Sequence, residues 1–192
     1  MLPTQLFSWL LIYLLTLPDK HCMFVAACSC KLMQTIRPRR NRKNSAIRQM
    51  VEETQLGVQH LIYPIFLKDG KGIKEEVASL PNNFRWSLDQ LLPELEACLK
   101  LGISTIDIFP AVDDALKDQM ASYSWASDNF YLRAISTIKK EFPELVVMTD
   151  VAMDPYSSDG HDGIVRDGKI VNDETLEVLG RMAVAQAKAG AD

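Results

Sequence analysis

Residues 149–165, TDVAMDPYSSDGHDGIV, concentrate side chains that can bind a metal ion or transfer a proton. The stretch follows an apolar run directly and holds four carboxylates and one imidazole: Asp150, Asp154, Asp159, Asp162 and His161. Asp, Ser and Gly also favour loops for conformational reasons alone, so composition supports a polar turn as well as a site. A position just after a predicted strand favours the functional interpretation.

Ligand chemistry narrows the metal ions that this loop could bind. Counted from Asp154, an EF-hand loop would need an oxygen ligand where Tyr156 stands and Gly where Asp159 stands, so the calcium pattern fails. Zinc needs several Cys or His ligands, and only His161 qualifies; a single His is by default a hydrogen-bonded loop residue. Hard carboxylate oxygens suit Mg²⁺, which two of them can hold through water.

Three apolar runs at even intervals predict buried parallel strands over residues 61–67, 103–109 and 145–151. Pro64 conflicts with the first strand because it removes a ladder hydrogen bond. Helical patterns lie between and after these strands.

Helices are predicted over 87–102, with a capping box of Ser87 and Gln90, and over 128–142. In the second, one apolar face contains Phe130, Ala134, Ile135 and Ile138. A third helix over 172–190 is capped by Asn172 and closed by Gly190, after a hairpin that turns at Asp167 and Gly168.

This alternation predicts a parallel α/β sheet, either a barrel or a doubly wound fold. No glycine-rich phosphate loop follows a strand, which favours the barrel. A complete (β/α)8 TIM-type barrel needs about 250 residues, so we expect its N-terminal portion: three βα units over 60–192, ending before a fourth strand. Asp150 then lies at a strand end and Asp154 to Asp162 in the following loop, where barrel enzymes place catalytic groups.

Residues 1–36 form an apolar extension with no basic residue ahead of its hydrophobic run, so it matches neither a membrane span nor a signal peptide well. We expect a disordered or mis-started segment, with a targeting role as the alternative.

RPRRNRK, residues 37–43, opens a basic N-terminal arm over 37–59. The net charge of −4 argues against a nucleic-acid partner. We expect the four cysteines to be reduced thiols of a cytoplasmic protein, with no disulfide framework: Cys22, Cys28, Cys30 and Cys98.

The loop TDVAMDPYSSDGHDGIV resembles the metal-loop signature of the 5-aminolevulinate dehydratase (porphobilinogen synthase) family. The resemblance extends through NDETLEVLGRMAVAQAKAGAD, DIFPAVDDALKD and LKDQMASYSW, and back to RPRRNRKNSAIRQMVEET, and covers residues 37–192. It implies a TIM-type barrel lyase that condenses two 5-aminolevulinate molecules to porphobilinogen, releasing two waters, in tetrapyrrole (heme and chlorophyll) synthesis.

The resemblance also implies site residues and a metal. Ala152, Asp154 and Asp162 stand where the zinc-dependent branch has three cysteines, so the chain resembles the aspartate-rich, magnesium-responsive branch. Asp150, Asp154 and Asp162 are then the substrate-site carboxylates, with Asp154 and Asp162 as possible Mg²⁺ contacts. Most of the Mg²⁺ ligands are expected outside these residues. The family further implies a homo-octamer assembled through the arm, with the plastid as an alternative location if residues 1–36 are a targeting segment.

The family reaction needs two lysines that form Schiff bases with the substrates, and both are expected beyond residue 192. Lys68, directly after the first strand, is the one candidate by position, but its polar loop would keep it solvated and protonated. A non-catalytic Mg²⁺-binding or subunit-interaction module is the alternative function, and another barrel lyase or aldolase is a third.

We therefore expect residues 1–192 alone to be inactive. Incubated with saturating 5-aminolevulinate and Mg²⁺, the purified chain should form no porphobilinogen, because the amines that bond to the keto carbons are missing. Detectable turnover would contradict the assignment of both lysines to later residues.

Overall fold

The computed structural model describes residues 39–192, which fall into two compact units, one ending at Gln55 and one spanning Leu56–Asp192. The expectations for residues 1–36 and for Arg37 lie outside the described residues. In the first unit a 3-10 turn, Arg39–Arg42, precedes helix α1, Ser45–Met50. The α1 backbone begins where Asn44 Oδ1 accepts a hydrogen bond from the Ile47 N–H at 2.9 Å.

The second unit is built on a five-stranded sheet with the order β2-β3-β1-β4-β5, in which only the β2–β3 pair is antiparallel. The strands are β1 Tyr63–Lys68, β2 Lys74–Glu76, β3 Phe84–Trp86, β4 Thr105–Ala111 and β5 Val146–Thr149. Three helices accompany them: α2 Leu88–Lys100, α3 Phe130–Glu141 and α4 Asn172–Ala189. A hairpin, β6 Val165–Arg166 with β7 Lys169–Ile170, precedes α4, and 3-10 turns occupy Val58–His60, Asp114–Leu116 and Ser122–Trp125.

Helices cover one face of the parallel sheet. Alternating side chains of β1, β4 and β5 are fully buried against α2 and α3 along most of each strand: Ile65, Leu67, Ile106, Ile108 and Val147. These strand residues share one core cluster with Leu91 and Leu95 of α2 and with the α3 face predicted from the sequence. A doubly wound fold would bury both faces of the sheet, whereas burial of one face by successive helices is the arrangement of a barrel wall.

The predicted strands and helices are confirmed, with ends shifted by a few residues. Pro64 does lie inside β1, although β1 is a central strand. The conflict is resolved by register, because β3 pairs with β1 only at Phe66 and Leu67, so that Pro64 has a strand neighbour on one side alone. The hairpin turn is also confirmed, with positive φ angles of 50° at Asp167 and 72° at Gly168.

Two predicted helix caps are wrong. The Ser87 side chain does not cap α2; its hydroxyl donates to Asp89 Oδ1 at 2.6 Å and accepts from the Ile73 N–H at 2.8 Å. Asn172 is the first residue of α4, and its neighbour Val171 occupies the N-cap position without a side-chain bond. The Ser87 hydroxyl is used by other partners, one of them, Ile73, distant in the chain.

Strands β2 and β3 were not predicted, because each has only three residues and β2 is fully exposed. Cation–π contacts stabilise this edge, since Lys74 Nζ lies 4.7 Å and 4.4 Å from the ring centroids of Phe84 and Trp86. Among residues 39–192, no helix combines the length and the apolar character that a membrane crossing requires.

Candidate active site

The end of β5 places Asp150 on the face of the sheet opposite the helices. Asp150 directly follows Thr149, the last residue of β5, and lies two residues after Met148. Because side chains alternate along a strand, Met148 and Asp150 lie on the same face, away from buried Val147. Asp107 of β4 pairs with Met148, so it occupies the adjacent position on that face.

The acidic loop is anchored by apolar side chains beneath it. Met153 and Tyr156 are 0% and 1% exposed and pack in a second core cluster with Ile164, Val178 and Met182. Backbone bonds tie the loop to the segment after β4. The Asp118 N–H donates to the Tyr156 carbonyl at 3.2 Å, and the Ser158 N–H donates to the Asp118 carbonyl at 3.1 Å. The carboxylates therefore project from a loop that is fixed at its middle.

Asp154 and Asp162 are brought together by this loop. The Asp154 N–H donates to Asp162 Oδ1 at 3.2 Å, and both residues are exposed. Desolvation of its carboxyl raises the pKa of Asp154, and the neighbouring charges of Asp162 and then Asp150 raise it further. Asp162 and Asp150 thus both lie within electrostatic range of Asp154.

Asp107 belongs to the same cluster and was missed by sequence reasoning. Partial burial raises the pKa of Asp107, and the charge of Asp150 adds to the effect. A signal was available: Asp107 is the one charged residue inside the apolar run 103–109. Because side chains alternate along β4, Asp107 points away from the face of Ile106 and Ile108, towards the face that the helices do not cover.

Asp159 and His161 lie apart from this group. The Asp159 N–H donates to Ser157 Oγ at 3.2 Å, which is turn chemistry, and the exposed His161 follows two residues later. Of the described residues, neither is among the groups that shift the pKa of Asp107 or Asp154. The structure thus divides the acidic stretch into a cluster of three and a turn.

Metal-ligand chemistry fits this site only in part. Within residues 39–192, no three His, Cys, Asp or Glu side chains converge closely enough to hold a metal ion. Ala152 offers no ligating atom where a zinc cage would need one. Carboxylate oxygens such as those of Asp154 and Asp162 are the type of ligand that Mg²⁺ prefers, and this ion normally keeps several of its waters.

Two aromatic rings lie beside the carboxylates on the same face of the sheet. Phe66 of β1 pairs with Phe109 of β4, and their ring centroids are 5.9 Å apart. Lys68 at the end of β1 lies on the same face by alternation, but its Nζ donates to Glu75 Oε2 at 2.8 Å. This part of the sheet therefore carries two aromatic rings, one paired cation, Lys68, and a set of carboxylates that we call the acidic rim: Asp107, Asp150, Asp154 and Asp162.

The raised pKa of Asp154 has a consequence for stability. The unfolded carboxyl titrates near 3.8 and the folded one higher, so this group's contribution to stability is full below 3.8 and is lost as pH rises through the folded pKa. Asp162→Asn keeps an oxygen for the Asp154 N–H and removes one like charge, which lowers the folded pKa of Asp154 towards its ordinary value. The decrease in unfolding free energy as pH rises above 3.8, measured by urea unfolding, should therefore become smaller.

Asp159→Asn is the matched control, because it makes the same chemical change elsewhere in the same loop. It should leave the dependence of the unfolding free energy on pH as it is in the unmodified chain. If the unfolding free energy depended on pH equally in Asp162→Asn and in Asp159→Asn, the coupling of Asp154 with Asp162 would be contradicted.

Comparison with known proteins assigns the chain to a family. Residues 35–192 match the family model described as delta-aminolevulinic acid dehydratase. The protein of that name from Bradyrhizobium diazoefficiens is 48% identical over 167 residues, which cover 87% of this chain and 47% of the relative. The chloroplastic one from Selaginella martensii is 45% identical over 163 residues, covering 84% of this chain and 39% of the relative.

A solved structure shows the same fold. The delta-aminolevulinic acid dehydratase of Toxoplasma gondii, in complex with the reaction product porphobilinogen, superposes with a TM-score of 0.79 at 45% identity. The match covers 82% of this chain and 45% of that one, so the chain spans about half the length of the relatives it matches. The α/β fold predicted as the N-terminal portion of a TIM-type barrel is confirmed. The chain belongs to the delta-aminolevulinic acid dehydratase family.

Proposed function

We propose that the protein is a hydro-lyase that condenses two molecules of 5-aminolevulinate to porphobilinogen and releases two waters. The observation that carries the proposal is that Asp150, at the carboxyl end of β5, and Asp162 both act electrostatically on Asp154 in the loop that follows. In barrel enzymes this end of the sheet holds the active site. The solved relative from Toxoplasma gondii has porphobilinogen bound, which supports the same product here.

The carboxylates suit a substrate that carries an ammonium group. 5-Aminolevulinate offers an amine and a ketone, and the acidic rim would attract and orient the cationic amine above the Phe66 and Phe109 rings. Condensation also requires protons to leave carbon and nitrogen and to reach the departing waters. Because its pKa is raised, the Asp154 carboxylate is a stronger base than an ordinary carboxylate, which suits a group that accepts and returns a proton.

The carbon–nitrogen chemistry needs amines, which we propose are supplied from outside residues 39–192. A Schiff-base lysine must be an unprotonated nucleophile, which a neighbouring carboxylate opposes. Lys68 forms an ion pair with Glu75, with Nζ to Oε2 at 2.8 Å, and its side chain is 42% exposed. This pairing supports the prediction that Lys68 does not take the catalytic role.

Magnesium is the proposed metal. The Asp154 and Asp162 oxygens would contact the ion through its water shell, with further ligands from outside the described residues. Bound there, Mg²⁺ would offset the mutual repulsion of these carboxylates. Zinc is disfavoured because Asp154 and Asp162 are hard ligands and Ala152 is none.

Neutralising one cluster carboxylate tests the proposed function. In the full natural protein, Asp150→Asn should lower kcat for porphobilinogen formation by about 10²–10⁴-fold, the usual contribution of a general acid–base group. Asp159→Asn is the control and should change kcat less than about twofold, because Asp159 lies outside the cluster. Equal kcat values for the two variants would refute the site, and no product from the unmodified protein would refute the function.

Self-association through the arm over 37–59 is proposed as the basis of a homo-octamer. In the described part of the arm, Arg39, Arg40 and Arg42 are exposed, and so are the apolar side chains of Met50 and Leu56, at 78% and 81%. Guanidinium groups form paired hydrogen bonds with carboxylates, and apolar side chains beside them supply area to bury. This combination suits a protein interface better than a solvated tail.

Removal of two arginines tests the arm. Arg39→Ala combined with Arg40→Ala in the full natural protein should shift sizing chromatography towards smaller species, because both charge-assisted contacts are lost. Lys71→Ala combined with Lys188→Ala removes the same charge from exposed positions of the second unit and should not change the elution volume. Unchanged elution of the arginine variant would exclude the arm as the contact.

For location, the cytoplasm is the proposed compartment and the plastid is the alternative. The relative from Selaginella martensii is named as chloroplastic, and this supports the plastid as the alternative.

A further inference from the structure

Gln186 is a buried polar residue in the last turns of α4. It is 2% exposed and continues a stripe of buried α4 residues that includes Thr175, Val178 and Met182. An apolar side chain at this position would fill the same space without any need for partners. A buried amide is tolerated only where both its donor and its acceptor are satisfied.

Both ends of the Gln186 amide bond to consecutive residues at the end of β5. Gln186 Nε2 donates to the Asp150 carbonyl at 2.9 Å, and Thr149 Oγ1 donates to Gln186 Oε1 at 3.0 Å. Thr149 pairs with Ile108 at the last step of the β4–β5 ladder. The Asp150 carbonyl therefore lies beyond the ladder, and the Gln186 amide takes the place of a strand neighbour.

Just after Gln186, the end of α4 is held by hydrogen bonds to β5 and to α3. The Asp192 N–H, just after α4, donates to the Val147 carbonyl of β5 at 3.0 Å, and Ser136 Oγ of α3 donates to the Ala189 carbonyl at 2.9 Å. The end of α4 cannot shift without breaking these bonds. Because α4 is held in place, the hydrogen bonds of Gln186 hold the backbone of Thr149 and Asp150 in place as well.

We propose that Gln186 is a positioning residue for Asp150 in the proposed condensation, and the inference rests on that function. A hydrogen bond to the Asp150 carbonyl fixes rotation about the Cα–C bond of Asp150, and the bond from Thr149 fixes the residue before it. Together they hold the backbone from which the Asp150 carboxylate projects. Gln186 touches no substrate itself and acts through the direction of that carboxylate.

The first test replaces Gln186 with an apolar side chain of similar length in the full natural protein. Gln186→Met should lower kcat by about 10- to 100-fold with little change in KM, because a small misplacement of a reacting group slows the chemistry more than binding. In an Asp150→Asn background the same substitution should cost less than about twofold, because there is no catalytic carboxylate left to position.

A substitution with a pH signature provides the second test. Gln186→Glu keeps the acceptor for Thr149 and loses the donor to the Asp150 carbonyl until the new carboxyl is protonated. Its kcat relative to the unmodified protein should therefore rise as pH falls, whereas the ratio for Gln186→Met should stay flat. This variant also serves if Gln186→Met does not fold.

Thr175→Val is the control for a role in folding alone. Thr175 is another buried polar residue of α4, and its hydroxyl bonds to the Ile164 N–H and the Val171 carbonyl, not to β5. It should lower stability with the same effect on kcat in both backgrounds. An equal loss for Gln186→Met in both backgrounds, or none in either, overturns the inference while the function stands, and an inactive unmodified protein overturns both.

Discussion

Strict alternation of side chains along β1, β4 and β5 is the constraint on which the rest of the structure depends. One set of positions, represented by Ile65, Ile108 and Val147, is fully buried against the helices. The opposite set must then face away from them, and it carries Asp107 and, just past β5, Asp150. A register slip of one residue would move these carboxylates into an apolar core, which costs far more than one hydrogen bond returns.

Apolar anchoring allows like charges to stay close together. Desolvation raises the pKa values of Asp107 and Asp154, and neighbouring carboxylates raise both further: Asp150 for Asp107, and Asp162 and Asp150 for Asp154. Burial of Met153 and Tyr156 holds the loop in place despite the repulsion between these carboxylates. Apolar burial in the second core stabilises the fold by more than repulsion between exposed charges destabilises it. As a result, the carboxyl groups of Asp107 and Asp154 hold their protons more tightly than usual.

Local signals predicted elements better than they predicted the contacts between elements. The periodicity of residues 128–142 identified the buried face of α3, and the Asp167–Gly168 pair identified the hairpin turn. The capping box at Ser87 failed because its hydroxyl found Asp89 and Ile73 instead. Distant or short-range partners of that kind leave no periodic pattern in a sequence.

The sequence by itself determined the α/β alternation, the strand that delivers Asp150, and the absence of thiolate ligands at Ala152, Asp154 and Asp162. Those features follow from side-chain chemistry and spacing within a single element. Only the tertiary structure decided that Asp107 joins the cluster, that Asp159 does not, and that Gln186 supports Asp150. The reason is physical: each depends on strand register and on the approach of residues far apart in the chain, which packing sets and local propensity does not.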